Sequence, residues 1–444
     1  MFLSFRRKLS HKIRARRWSV FLLLGVMMMC FGFVFMALAS IVLAPASIET
    51  VRSFHPLALT FSGITAFLIS LFWLHKGFTT AFKLLDRKET GLSDKVREFV
   101  FYRQAAKEKR FSMVALGGGT GLSSLLKGLK ELPISLTAIV TVTDDGGSSG
   151  RLRKDLQILP PGDIRNCLVA LSRSESLLSQ LFQYRFVEGG DIEGHSFGNL
   201  FIAAMSGVIG DFSSAVREAS TILAIKGKVV PVTNDNVQLK AEFDDKTIIT
   251  GESAISEAGK RIVAMGLVPD SPDANPEAIS SVEDSNMIVL GPGSLYTSVI
   301  PNLLVPGVAE AINSSSAQVV YICNVMTQPG ETDTYTAADH IKAILEKTAL
   351  ERIDTVIVNS RRAARPLMVK YEEKGQFWVP PTVKKIEDMG IRVLAADLIL
   401  ESDMVRHNPT LLATVLVSLI NEEPGLKALK NDEILLYGEN TEFE

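Results

Sequence analysis

The chain has 444 residues, with 47 Lys and Arg against 49 Asp and Glu, and a formal net charge of -2. That length predicts two or three structural units, and the near-even charge argues against a nucleic-acid partner, which requires a basic face. A mean hydropathy of +0.21 is high for a soluble enzyme, so the first question is where the apolar residues concentrate.

They concentrate near the N-terminus. No Asp, Glu, Lys or Arg occurs from Trp18 to Ile48, and a second uncharged run covers Ser53 to His75. Each can cross a bilayer, for which roughly 20 apolar residues suffice. Arg6, Arg7, Lys8, Lys12, Arg14, Arg16 and Arg17 precede the first run, and Lys76, Lys83, Arg87 and Lys88 follow the second. Only Glu49 and Arg52 carry charge between the runs. The excess of basic residues at the outer ends predicts both termini in the cytoplasm at the inner membrane. The expected organisation is a basic arm (1–17), a two-span hairpin (18–76), a juxtamembrane linker helix (77–110), an α/β domain (111–422) and a polar tail (423–444). The three cysteines, Cys30, Cys167 and Cys323, show neither disulfide nor metal-ligand spacing.

From Phe111 onward short apolar runs alternate with helical periodicity. "FSMVALG" reads as a buried strand and "GLSSLLKGLKEL" as the helix after it. Further strands are predicted at 135–143, 286–291, 317–324, 354–359 and 391–398, and helices at 301–315, 335–350 and 409–423. Continuous apolar strands alternating with helices predict a Rossmann-like parallel sheet covered on both faces. The stretch Val237 to Ser253 alternates around Asp244-Asp245 and predicts a small inserted β-hairpin.

The polar, glycine-rich stretches all fall where strands end. Gly117, Gly118, Gly119, Thr120 and Gly121 close the first strand and open a helix. Glycine permits close backbone approach, and a helix N-terminus favours an anion; the competing reason for such a turn is packing. No Lys-Ser or Lys-Thr follows, which excludes a P-loop. A tubulin-like box resembles "GGGTG" but comes after several strands, whereas this one ends the first. The second strand runs into "TDDGGSSGRLRKD". Asp144 and Asp145 offer carboxylates to a divalent cation, with Mg2+ the candidate, or to sugar hydroxyls. Gly146 and Gly147 free the backbone there, and Ser148 and Ser149 add hydroxyls; an acidic turn is the plainer reading.

In "PPGDIRNCLVALS" Asp163 is expected to cap a helix, placing Arg165 and Asn166 in its first turn. An arginine there is unfavourable unless an anion is near. "GHSFGNLF" places His195 and Asn199 at the start of an apolar helix, as caps or as ligands. Gly291 and Gly293, followed by Ser294, repeat the strand-to-helix glycine pattern as a second anion candidate. Asn324, Thr327, Gln328, Gly330 and Glu331 follow another strand. Together these loops predict one shared cleft.

These ordered motifs, spread over Phe111 to Glu422, resemble the bacterial gluconeogenesis factor family of the 2-phospho-L-lactate transferase superfamily. The resemblance implies a Rossmann-like domain that binds a nucleotide diphosphate ligand, UDP-N-acetylglucosamine being the nucleotide sugar associated with the family. It implies roles in growth on gluconeogenic carbon, cell shape and wall synthesis. Residue by residue, it implies that Gly117 to Gly121 hold the diphosphate. Asp144 and Asp145 match the acidic loop that contacts the deazaflavin acceptor in the related transferases, and Arg165 resembles their nearby basic residue. The loop Gly146-Gly147-Ser148-Ser149 departs from the bulkier transferase loop. A binding and regulatory protein is therefore the first expectation, and a phospho-group transferase using Asp144 and Asp145 as catalytic residues the second. A homodimer suits the class, although no stretch marks its interface.

Overall fold

The computed structural model describes residues 111–172, 177–401 and 404–422, with Thr65 standing alone before them. The predicted two-span hairpin, linker helix and C-terminal tail lie outside the described residues. Among the described residues no single helix is long and apolar enough to cross a membrane.

Seven strands form one parallel sheet: β1 (Ser112–Gly117), β2 (Ser135–Val140), β3 (Lys228–Pro231), β7 (Met287–Leu290), β8 (Gln318–Ile322), β9 (Thr355–Asn359) and β10 (Arg392–Ala396). Their spatial order is β10-β9-β8-β7-β1-β2-β3, and every pair is parallel. Met113 to Leu116 and Met287 to Leu290 are wholly buried, as expected for central strands covered on both faces. The chain runs outward from β1 to β3, then returns to place β7 on the other side of β1. At such a reversal open α/β sheets bind ligands, in a crevice outside the carboxyl ends of the strands.

Three helices start from the strand ends that matter. Helix α1 (Gly119–Leu129) follows β1, α2 (Gly147–Leu156) follows β2, and α3 (Gly162–Leu171) follows α2. Helix α1 buries Leu122, Leu125, Leu126 and Leu129, one stripe at helical spacing. Each such leucine contributes about 1.5–3 kcal/mol. Helices α4 (Leu177–Gln183), α5 (Phe197–Ile209) and α6 (Phe212–Ile222) then lead to β3.

The inserted element is larger than the predicted hairpin. Strands β4 (Gln238–Phe243) and β5 (Ile248–Thr250) pair antiparallel as expected, and β6 (Ile262–Val268) joins β4 on its other side. Helix α7 (Glu252–Glu257) links β5 to β6. The single helix expected at 301–315 is broken into Ile300–Leu303 and Val308–Ser314, because Pro306-Gly307 cannot continue it. A π-helical turn, Leu295–Val299, precedes the break. A two-stranded ribbon, β11 (Ile399–Glu401) with β12 (Val405–His407), precedes the last helix, Pro409–Glu422.

Candidate functional site

The glycine turn after β1 is tightly packed. A Cβ on Gly118 would lie 2.5 Å from Asp163 Oδ2 and 2.9 Å from Thr141 Cγ2. On Gly121 it would lie 2.4 Å from the carbonyl oxygen of Pro292 in the β7 turn. The Gly117 carbonyl accepts from the Thr141 amide and from Asn302 Nδ2, at 3.0 and 3.2 Å. Gly119 has a φ of +61°, which favours glycine. Thr120 is exposed. Gly118 and Gly121 therefore let two neighbouring strand ends approach each other and α3.

Asp163 closes over this turn. Helix α3 begins at Gly162 with Pro161 in the cap position, so Asp163 lies inside the first turn instead of capping it. The Gly119 amide faces its carboxylate closely enough to favour the charged form. Burial, then the charge of Asp144, pushes Asp163 up to about 7, against the opposing pull of that amide and Arg165.

The turn after β2 is built differently. Asp144 Oδ1 accepts from the Gly146 amide at 2.9 Å. Asp145 Oδ1 accepts from Ser253 N and Oγ at 2.9 and 2.7 Å, holding the start of α7 against this loop. Glu252 thereby faces Asp144, Asp163, Asp145 and Glu331. It makes no hydrogen bond to a described residue, and burial followed by those four carboxylates raises it to about 9. Glu331 accepts from Ser256 Oγ at 3.1 Å; burial raises it to about 6, and its Oε2 is buried without a partner. Among the described residues no three His, Cys, Asp or Glu side chains stand close enough to hold a metal by themselves.

Gly147 has a φ of +46° and nothing within 4 Å of the position a Cβ would take. Ser148 and Ser149 are both buried. Ser148 Oγ lies 2.9 Å from His195 Nδ1 and accepts from Asn199 Nδ2 at 3.0 Å. The pKa of His195 is lowered by burial and then by Arg151. Ser196 caps α5 through the Asn199 amide, so the cap falls to Ser196 and not to His195. Arg165 Nη2 donates to Asn166 Oδ1 at 2.7 Å, while its Nε is buried without a partner.

The β7 and β8 turns are stitched together. Gly293 N donates to Asn324 Oδ1, and Asn324 Nδ2 donates to the Gly293 carbonyl, at 3.3 and 2.7 Å. Gln328 Nε2 donates to Ser294 Oγ at 2.6 Å. Thr327 is buried and pairs with the Phe377 backbone. Gly291 and Gly330 have φ of +78° and +80°, and a Cβ on Gly330 would lie 2.3 Å from the Ser256 carbonyl. The four predicted loops do share one end of the sheet. The β1, β7 and β8 loops spend most of their polar atoms on one another, and the β2 loop faces outward to α5 and α7.

Three residues that pattern reading passed over stand beside these loops. Glu252 read as an ordinary first-turn acid, favourable at any helix start; only Gly251 with a φ of +107° marks how its turn tucks under Asp145. Arg151 lay inside the quoted acidic motif and Arg185 in a stretch with no periodicity. A cavity of about 770 Å3 opens on the far side of Asp145, between α2 and the inserted sheet, with Arg153, Asn236 and Gln238 among its walls. Another, of about 440 Å3, lies away from the strand ends between α6 and β3, where Arg217 and Lys228 are already paired with Glu277.

Comparison with known proteins fits this geometry. The family profile of 2-phospho-L-lactate transferase CofD matches residues 113–399. The gluconeogenesis factor of Bacillus subtilis is 49% identical over 307 residues, covering 69% of this chain and 97% of that protein. A relative from Clostridium acetobutylicum is 37% identical over 418 residues and covers 93% of this chain and 91% of its own, which extends the likeness into the first 110 residues. A crystal structure of a UPF0052-family protein from Bacillus halodurans has a TM-score of 0.68 and 48% identity, covering 70% of this chain and 99% of that one. The chain belongs to the 2-phospho-L-lactate transferase CofD family, among its gluconeogenesis factors.

Proposed function

We propose that the α/β domain binds a nucleotide diphosphate ligand of the UDP-N-acetylglucosamine type in the crevice where β1, β2 and β7 end. In this reading the domain acts as a sensor held at the cytoplasmic face of the membrane by its N-terminal hairpin, and it couples nucleotide-sugar supply to growth on gluconeogenic carbon, cell shape and wall synthesis. The observation that carries it is the reversal of strand order between β1 and β7, with uncommitted polar groups gathered beside it. Open parallel sheets offer their helix N-termini to phosphates at such a point. Titration calorimetry of the full-length chain in non-ionic detergent against UDP-N-acetylglucosamine tests it. Saturable heat is expected; none up to millimolar ligand rejects it.

The acidic side of the crevice favours a second reading, transfer of a phosphate-linked group. Asp144 and Asp163 press on each other electrostatically, and a divalent ion such as Mg2+ would relieve them. These two carboxylates would hold it, with phosphate oxygens completing its shell. The ion would supply charge neutralisation at the phosphoryl group, while Arg165 and the α2 amides orient the donor. Replacing both Asp144 and Asp145 by Ala should then abolish turnover of a labelled donor; unchanged turnover rejects this reading.

A further inference from the structure

The loop from Tyr184 to Phe197 doubles back on itself. The Phe186 amide donates to the His195 carbonyl at 2.9 Å, the Gly194 amide to the Phe186 carbonyl at 2.8 Å, and the Phe197 amide to the Tyr184 carbonyl at 2.8 Å. These bonds present the carbonyls of Glu193 and Gly194 to two arginines. Arg151 Nη2, from the second turn of α2, donates to Glu193 O at 2.6 Å. Arg185 Nη1 donates to Gly194 O. Gly194 has a φ of +76°, which favours glycine, and the guanidinium of Arg151 sits 3.0 Å from the point where its Cβ would stand. Arg165 comes in from α3, its side chain against Gly198 at the head of α5.

The three arginines gather around this turn without forming an ion pair. None has a carboxylate within ion-pair distance among the described residues, although Glu188, Asp191 and Glu193 lie on the same loop. After burial, the charge of Arg185 lowers Arg165, and the charges of Asp163 and Asp144 oppose it from the other side. Gathering like charges costs stability unless an anion answers them. The buried, partnerless Nε of Arg165 points to a missing acceptor, since an unmade bond to a buried donor is costly. The loop carbonyls fix two guanidinium planes while leaving further N–H groups of each unused. A planar fork of donors suits phosphate oxygens better than a point charge does.

We propose that Arg151, Arg165 and Arg185, set around the Glu193–His195 turn, form the seat of a diphosphate group. This rests on the nucleotide-diphosphate reading above and moves the phosphates from the packed β1 turn to the α2–α5 side of the crevice. Ser148 and His195 form the floor beside this seat.

The test uses the full-length chain in non-ionic detergent, inorganic pyrophosphate as probe, and titration calorimetry at low salt. Wild type should bind pyrophosphate saturably and inorganic phosphate at least tenfold more weakly. The double variant R151Q/R185Q, both sites being exposed, should keep its melting temperature and bind pyrophosphate at least tenfold more weakly, about 1.4 kcal/mol. R217Q, on the distant α6, should bind as wild type does. UDP-N-acetylglucosamine should weaken in the double variant by the same factor. Absence of pyrophosphate binding to wild type, equal affinity for phosphate and pyrophosphate, or unchanged affinity in the double variant would overturn the seat. Pyrophosphate binding that depends on the arginines, without any binding of the nucleotide sugar, keeps the seat and removes the functional reading on which it was built.

Discussion

The turns after β1 and β2 both set clusters of glycine beside a helix N-terminus, yet they use the glycines for different ends. After β1, Gly118 and Gly121 are small because Asp163 and the Pro292 carbonyl press on them, and the Gly119 amide faces the Asp163 carboxylate. After β2, Gly147 adopts a left-handed conformation with open space around it, beside Ser148, whose hydroxyl meets His195. Glycine content alone thus cannot tell chain packing from ligand approach. What separates Gly121 from Gly147 is whether a Cβ would meet protein or empty space.

Substitution exposes the contrast most strongly. Gly121→Val should cost about 3 kcal/mol or more, because its Cβ would overlap backbone that cannot yield. Gly147→Ala should cost only about 1–2 kcal/mol, the strain of a left-handed non-glycine residue, while weakening ligand binding. Urea unfolding of the two variants, followed by circular dichroism, measures both. Equal costs would erase the distinction.

The acidic side sharpens the comparison through pH. Glu252 is raised in the folded chain to about 9, so the folded state holds its proton where the unfolded state has lost it. Stability from this group is complete below the ordinary glutamate range and falls as pH rises toward 9. Glu252→Gln should remove that decline and gain on the order of 1–3 kcal/mol at pH 9, with little change at pH 4. Thermal melting across pH 4–9 reports it, and parallel curves for wild type and variant would contradict the assignment.

Smaller effects are expected where side chains tie loops to helices. Ser148→Ala removes the bridge between His195 and Asn199 and should cost about 1–2 kcal/mol, with faster amide exchange in the first turn of α5. Asp145→Ala unfastens the head of α7 and should cost about 1 kcal/mol, the scale of a lost helix cap. Its signature is local: faster exchange at residues 252–257 with the sheet unchanged.

The central sheet was legible because its strands are unbroken apolar runs, and α1 because its leucines recur at helical spacing. Strand β3 was not, since four residues beginning in Lys and ending in Pro carry no strand signal. Strand β6 was missed because Gly266 interrupts its pattern and its alternation is irregular. At the site, composition marked every glycine-rich strand end but not what each faces. Asp163 looked like a helix cap, and only the three-dimensional approach of α3 to β1 turns it onto Gly118. Arg185 and Glu252 carry no local signature: Arg185 meets a carbonyl 9 residues away across an irregular loop, and the tie between Ser253 and Asp145 that places Glu252 spans 108 residues.

Hydrogen exchange on the full-length chain with and without UDP-N-acetylglucosamine tests the account most directly. It predicts ligand-dependent slowing at amides 146–151 and 194–199 and no change at 117–121. Slowing confined to 117–121, with the α2 and α5 segments unaffected, would contradict it.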